Sequence, residues 1–370
     1  MTRRWQEDEH QRRGTRPDKL DTLDIREKRS GRGRPAPSRG IDAIVDPSVE
    51  RLPALVVGAL PAHVEVLLNP DSGHTPTRED VRVVRVHPAL VAALKSPLVV
   101  GDRIDVATLE NGQSWAVSCT PRATVLARPA VEREKLQQPI VANADALWVV
   151  VAVENPALNA GLVDRFFVAA AAGGLDFRLL ATKADLPGDA ASLEWLDFYE
   201  KTLGVTVART SAVTGQGVDE VRGLLAGRFS ALVGQSGVGK SSVVRAMLPT
   251  QPIAVGEVSA ATGKGRHTTT VTRWYGLPEG GAVVDTPGLR ELGLWGVERR
   301  HLGVAFPDVA RVAEGCRFDD CRHLREPGCE VRGHPEIRAE RLASWQKLSD
   351  EVDERLRPGF GKPGGPSTRG

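Results

Sequence analysis

A tetrapeptide suited to reading a purine base, TKAD at Thr182–Asp185, lies upstream of a phosphate-loop pattern, GQSGVGKS at Gly234–Ser241. The loop follows an apolar run, Phe229–Val233, and opens a segment of helical periodicity. Strand, glycine-rich loop and helix in that succession make an anion cradle, in which backbone N–H groups and the helix N-terminus face phosphate oxygens. Gly234, Gln235, Ser236, Gly237, Val238 and Gly239 form the candidate loop, with Ser242 just beyond it; Lys240 would reach the β/γ oxygens and Ser241 would bind Mg²⁺. The loop alone does not separate ATP from GTP.

TKAD supplies the base choice. Asp185 can accept from guanine N1–H and from its exocyclic amine, a pair of donors that adenine lacks, while the Lys183 stem lies along the base and Ala184 completes the turn. The usual guanine motif is NKxD; Thr182 in place of Asn removes an amide that bonds the base and braces the loop, so weaker nucleotide affinity is expected. Thr210–Ala212 (TSA) follows another apolar run, and Ser211 and Ala212 match a loop whose backbone meets the guanine carbonyl. Asp285–Gly288 (DTPG) ends a further strand: Asp285 would hold Mg²⁺ through water and the Gly288 N–H would sense a γ-phosphate. Between the phosphate loop and DTPG lies GKGRHTTT, Gly263–Thr270, where one of Thr268, Thr269 and Thr270, with Thr269 as the candidate, completes the Mg²⁺ shell.

These elements run TKAD, TSA, phosphate loop, DTPG. Joining the ends of a G domain and reopening it just after DTPG produces that order and leaves the sheet intact, because domain ends lie at the surface. The predicted architecture around it is multidomain. Residues 1–40 hold twelve Lys/Arg against seven Asp/Glu in an Arg/Gly/Pro-rich stretch, which is read as a disordered arm that either contacts RNA electrostatically or is simply solvated. Residues 41–128 carry about five short β-rich runs separated by turn formers, a small β-barrel. Residues 129–298 alternate buried strands with helices, the pattern of a parallel α/β sheet. Residues 299–356 contain Cys316, Cys321, His323 and Cys329 before a charged helical stretch, and 357–370 form a Gly/Pro-rich disordered tail. Three thiolates and an imidazole suit one tetrahedral structural Zn²⁺, with no position open for catalysis; unliganded cysteines are the alternative. Cys119, far upstream, reads as a core residue.

Charged residues make up 26% of the chain and the net charge is only +2. There is no apolar run long enough to span a bilayer, which takes about 20 residues. The charged N-terminus does not read as a secretory signal. A cytoplasmic, monomeric protein that does not enter the membrane is the expectation.

The permuted motif order, GKGRHTTT and Cys316-x4-Cys321-x-His323-x5-Cys329 together resemble the ribosome small-subunit-dependent GTPases of the RsgA (YjeQ) family, over about Ile41–Leu356. The resemblance implies an OB-fold barrel, a circularly permuted P-loop GTPase domain and a C-terminal zinc-binding helical domain. It further implies late maturation of the small ribosomal subunit, contact with its rRNA, and GTP hydrolysis that the subunit stimulates. Leu289, next after DTPG, cannot orient water as a glutamine there does in many small GTPases. His267 is the candidate for that role, as the family implies, alongside the alternatives of packing or RNA contact. A P-loop ATPase or kinase, and an RNA-binding module with a regulatory or vestigial nucleotide site, are the competing readings.

Overall fold

Period-two alternation of apolar residues makes the first five strands amphipathic ribbons with one face to bury. In the computed structural model, which describes residues 49–60, 62–70, 78–94, 96–108, 112–129, 137–248, 272–286 and 292–356, they solve that problem by closing on themselves. Strands β1 (Arg51–Ala59), β2 (His63–Leu68), β3 (Val81–Val86), β4 (Arg103–Thr108) and β5 (Ser114–Cys119) form a closed barrel in the order β1-β2-β3-β5-β4, with β3 and β5 parallel. A short helix, α1 (Pro88–Ala93), sits between β3 and β4 and sends Leu90 into the barrel core with Val56, Val66, Ile104 and Val106. This is the OB-type barrel expected from the sequence; Cys119 packs at its core's edge. The arm at 1–40 and the tail at 357–370 lie outside the described residues.

A two-stranded ribbon, β6 (Val125–Pro129) with β7 (Gln137–Ala142), joins the barrel to the next layer and has no counterpart among the strands expected from sequence. The seam is tight: a Cβ on Gly101, whose φ is +94°, would stand 1.9 Å from the Ala142 carbonyl oxygen, so only glycine fits. Buried Asp102 reinforces it, pairing with Arg122 at 2.7 Å.

The apolar runs that alternate with helices assemble into a six-stranded sheet. Its strands are β8 (Ala146–Ala152), β9 (Asp176–Thr182), β10 (Thr206–Arg209), β11 (Phe229–Val233), β12 (Arg273–Gly276) and β13 (Ala282–Asp285), ordered β10-β9-β8-β11-β13-β12. All neighbours are parallel except β12, which runs antiparallel to β13 at the edge. Every residue of β8 is buried, as expected for a strand covered on both faces. Helices α4 (Val218–Leu225) and α5 (Lys240–Met247) cover one face. The other is covered by α2 (Ala160–Gly173), capped by the Asn159 side chain, and α3 (Ala190–Asp197). The helix expected over 193–203 is broken by a π-helical turn at Phe198–Thr202, which puts Tyr199 inside the protein.

Three C-terminal helices, α6 (Arg299–Ala305), α7 (Pro307–Ala313) and α8 (Ala339–Leu356), dock on the α2 side of the sheet through Leu302, Phe306, Val309, Leu348 and Val352. The docking contains a buried ionic knot. Arg341 of α8, wholly buried, pairs with Asp308 of α7 at 2.7 Å and with Asp164 of α2, donates to the Ala305 carbonyl at 3.1 Å and lies 4.0 Å from the Phe306 ring centre. Tyr199 donates its hydroxyl proton to Asp164 at 2.6 Å. Burial pushes the Asp164 carboxyl up, while Arg341 and Tyr199 pull it back down. Breaking a buried ion pair from one side leaves a charge without a partner, at a cost of about 3–5 kcal/mol. Arg341→Met is therefore expected to lower unfolding free energy by about that much in denaturant titrations, whereas Arg311→Met, at an exposed pair with Glu336, should change it by less than about 1 kcal/mol.

Candidate functional site

Four loops meet at the carboxyl ends of neighbouring parallel strands, the place where open α/β sheets present their ligand crevice. TKAD leaves β9, TSA leaves β10, the phosphate loop leaves β11 and Asp285 ends β13. The central strand β8 separates the two base-side strands from the two phosphate-side strands.

The phosphate loop is shaped by glycine and by lysine. Gly234 has φ +148°, and a Cβ there would come within 2.3 Å of the Val150 carbonyl oxygen on β8, so the chain can pass over the sheet only without a side chain. Lys240 is buried and donates to the carbonyls of Gly234 at 2.8 Å and Gln235 at 2.9 Å. Its ammonium thus spans the loop that its own backbone closes. Burial pushes the Lys240 ammonium down and the Asp285 carboxyl up; each charge opposes the other's shift. The Ser241 hydroxyl donates to Asp285 Oδ2 at 3.2 Å, and Asp285 Oδ1 is buried with no hydrogen-bond partner among the described residues. A hydroxyl and a carboxylate with an orphaned oxygen, side by side at the mouth of a phosphate loop, fit a divalent cation such as Mg²⁺.

On the base side, Thr182 corrects one expectation. Its buried hydroxyl lies within hydrogen-bond reach of the Val238 carbonyl of the phosphate loop and of the Val151 carbonyl at 3.1 Å. The brace assigned to the missing Asn amide is therefore present, made by a shorter side chain; the adjoining Gly239 is required by its left-handed backbone, φ +95°, and not by space, since a Cβ there would make only an ordinary contact with Thr182. Lys183 takes a left-handed backbone, φ +59°, and its ammonium donates to the Asn155 carbonyl. The Ala184 N–H bonds the Thr210 carbonyl at 3.1 Å, tying TKAD to TSA. Asp185 is exposed. Buried Ser211 accepts the N–H groups of Val213 and Thr214, both at 3.2 Å, which fixes the turn that carries Ala212. The loop after β8, at Val153–Asn155, was not singled out from sequence. It holds TKAD from below through the Lys183 contact and an Asp189 N–H to Val153 carbonyl bond of 3.0 Å; the turn-forming pair Asn155–Pro156 was its signal. His267, Thr268, Thr269, Thr270, Gly288 and Leu289 lie outside the described residues.

A second constellation sits in the C-terminal helical region. The ligand atoms of Cys316, Cys321, His323 and Cys329 all lie within 4.8 Å of one another. His323 Nδ1 is 3.7 Å from Cys316 Sγ and 3.5 Å from Cys329 Sγ. Zn–S bonds of about 2.3 Å in a tetrahedron require ligand–ligand edges of about 3.8 Å, so the spacing suits a tetrahedral metal ion. The imidazole is held by the Trp345 ring, with centroids 4.7 Å apart, and its backbone carbonyl accepts from Gln346 at 2.7 Å. Burial pushes the Cys321 thiol up to about 11, so a thiolate here calls for a bound cation.

The RsgA GTPase family model matches residues 119–295. A "Small ribosomal subunit biogenesis GTPase RsgA" of Pseudomonas aeruginosa is 36% identical over 337 residues, covering 89% of this chain and 94% of that protein. The chain belongs to the RsgA GTPase family. A relative of the same name from Gemmatimonas aurantiaca is 40% identical over 69% of this chain and 84% of its own length. The crystal structure of YjeQ from Thermotoga maritima superimposes with a TM-score of 0.61 at 27% identity, covering 82% of this chain and 99% of that one. That of YloQ, a circularly permuted GTPase, gives 0.58 at 23% identity and shows the shared fold. RsgA membership accounts for the motif order that the sheet brings together. No helix among the described residues is long and apolar enough to cross a membrane.

Two measurements check this geometry. Thr182→Val keeps the shape and removes the hydroxyl, and should weaken guanine-nucleotide binding by about 1 kcal/mol, roughly fivefold in Kd, by titration. Elemental analysis of purified protein should find one metal ion per chain, lost in Cys321→Ser.

Proposed function

We propose that this chain hydrolyses GTP to GDP and phosphate while bound to the small ribosomal subunit, as a late factor in that subunit's maturation. The observation that carries the proposal is spatial. TKAD, TSA, the phosphate loop and Asp285 occur in rotated order along the chain and yet stand at the carboxyl ends of β9, β10, β11 and β13, around one crevice. Family membership, together with the names its relatives carry, supports the subunit as partner.

In this reading Asp185 selects guanine, Lys183 lies along the base, and Ser211–Ala212 offers backbone to the carbonyl. Residues Gly234–Gly239 donate N–H groups to the phosphates with Ser242 behind them. Lys240 exchanges its loop carbonyls for β/γ oxygens: a partly desolvated ammonium already facing the site has little reorganisation left to do on binding. Ser241, Asp285 and Thr269 would hold Mg²⁺, which neutralises charge on the β- and γ-phosphates when bound. The Gly288 N–H reports the γ-phosphate, and His267 orients the attacking water that Leu289 cannot. Cys316, Cys321, His323 and Cys329 hold one structural Zn²⁺, which fixes the approach of the C-terminal helices. The barrel at 41–128, the permuted domain at 129–298 and the zinc-binding module at 299–356 act as units that grip rRNA on either side of the nucleotide. The protein works in the cytoplasm, as a monomer.

GTP hydrolysis by the purified protein should be slow alone and accelerated when purified small subunits are added; an unchanged rate would undermine the reading. Lys240→Ala should abolish both rates. His267→Ala should retain nucleotide binding and lose the stimulated rate by a factor of about 10²–10⁴, the usual contribution of a positioned general base or water-orienting group.

A further inference from the structure

The chain leaves β13 at Asp285, is tied to the Leu232 carbonyl through the Thr286 hydroxyl at 2.8 Å, and is described again from Leu292, where it is held from three directions. Leu292 and Leu294 are both buried, each 1% exposed. From α2, Arg165 donates to the Leu292 carbonyl at 3.1 Å with one guanidinium nitrogen and pairs with Glu351 of α8 at 2.7 Å with the other. The other oxygen of Glu351 accepts the Leu294 N–H at 3.4 Å and also faces Arg355, one turn on, at 3.6 Å. Between them Gly293 lies against Pro129, the last residue of β6: a Cβ there would stand 2.9 Å from the proline Cδ. One three-residue strap is thus fastened to the sheet's own helix, to the C-terminal helix and to the ribbon that leads back to the barrel.

The same helix continues the connection. One residue before Glu351 and two after it, Asp350 and Asp353 pair with Arg322, the residue between Cys321 and His323 of the metal cluster. Asp353 also takes a two-pronged bond from Arg299 of α6, at 2.8 and 2.9 Å. Farther up α8, Gln346 and Trp345 hold His323.

We propose that Arg165 and Glu351 are positioning residues which clamp the chain leaving the DTPG segment, so that nucleotide state and the docking of α8 and the β6–β7 ribbon are set together. The inference rests on the GTPase reading above. Arg165 is suited to this because two separate nitrogens of its planar fork serve a carbonyl and a carboxylate in fixed directions, whereas a lysine ammonium would have to reach both acceptors from a single nitrogen. Coupling between two sites is reciprocal: whatever bound nucleotide does to the strap, α8 does to nucleotide preference by the same factor. Side chains of Arg165 and Glu351 are 17% and 24% exposed, so the pair is sheltered from solvent without being sealed, and a change in the strap can open or tighten it.

Hydrogen–deuterium exchange on the full chain, with GDP and then with a non-hydrolysable GTP analogue, tests this. In the wild type the exchange of α8 and of Val125–Pro129 should differ severalfold between the two nucleotides. Arg165→Gln and Glu351→Gln should each erase that difference with GDP affinity kept, and Arg165→Lys, which keeps the charge and loses the fork, should act like Arg165→Gln. Wild-type exchange that is the same with both nucleotides, or variants that keep the wild-type difference, would overturn the proposal. Glu351→Gln changes no side-chain shape, so it decides the matter should Arg165→Gln fail to fold. Subunit-stimulated hydrolysis by the wild type, measured alongside, separates a failure of the clamp from a failure of the functional reading.

Discussion

A buried ammonium holds the nucleotide site in shape. Lys240 reaches back to the carbonyls of Gly234 and Gln235, and its charge faces Asp285 across the mouth of the loop. Desolvating a lysine is costly unless carbonyl dipoles and a carboxylate receive it. Those receivers exist only if β11 and β13 lie side by side in parallel register, which places Leu232 opposite Asp285. The pairing of these strands, the passage of Gly234 over β8 and the start of α5 are therefore one condition seen from three sides. The Thr182 brace adds the base side to it, because its hydroxyl meets the carbonyl of Val238 within the same loop.

That condition explains why so much of the site was legible in the sequence. Glycine at 234, lysine at 240, hydroxyl at 241 and carboxylate at 285 are each demanded by local chemistry; Gly234 and Asp285 stand at the ends of apolar runs whose strand character is plain, and Lys240 and Ser241 open the helix that follows the loop. The Cys/His spacing was legible for the same reason: a tetrahedral ion tolerates few substitutes for thiolate and imidazole. The barrel followed from alternation, since five amphipathic ribbons with no other partner must close.

Less could be read where function is shared by residues distant in sequence. Arg341 looks like one more charge on an exposed helix, and Asp164 like a polar interruption of an apolar one; only the packing of α8 on α2 makes them a buried pair, 177 positions apart. The β6–β7 ribbon escaped because neither strand alternates cleanly, each carrying proline, and among the described residues each pairs as a strand with the other alone. Thr182 was legible as a departure from the usual Asn but not as a residue whose hydroxyl reaches the phosphate loop. Whether a side chain braces a loop depends on which carbonyl lies within reach, and that is a property of the neighbouring strand.

Permutation changes what an interface such as the Arg341 knot can do. In the unpermuted order the chain leaving DTPG would lead on to β8 of the same sheet. Here it runs instead to Leu292–Leu294, against α2, α8 and Pro129. The knot keeps α8 seated on α2 as a rigid whole, because separating Arg341 from Asp164 and Asp308 would strand charges in an apolar interior. The softer contacts in that seam are the partly exposed ones near the strap, chiefly Arg165 with Glu351. Of the two fastenings, the dry Arg341 knot costs more to separate than the wetter Arg165–Glu351 pair. The cheaper fastening is the one the strap touches, so under the clamp proposed above any shift of the strap acts where the seam resists it least.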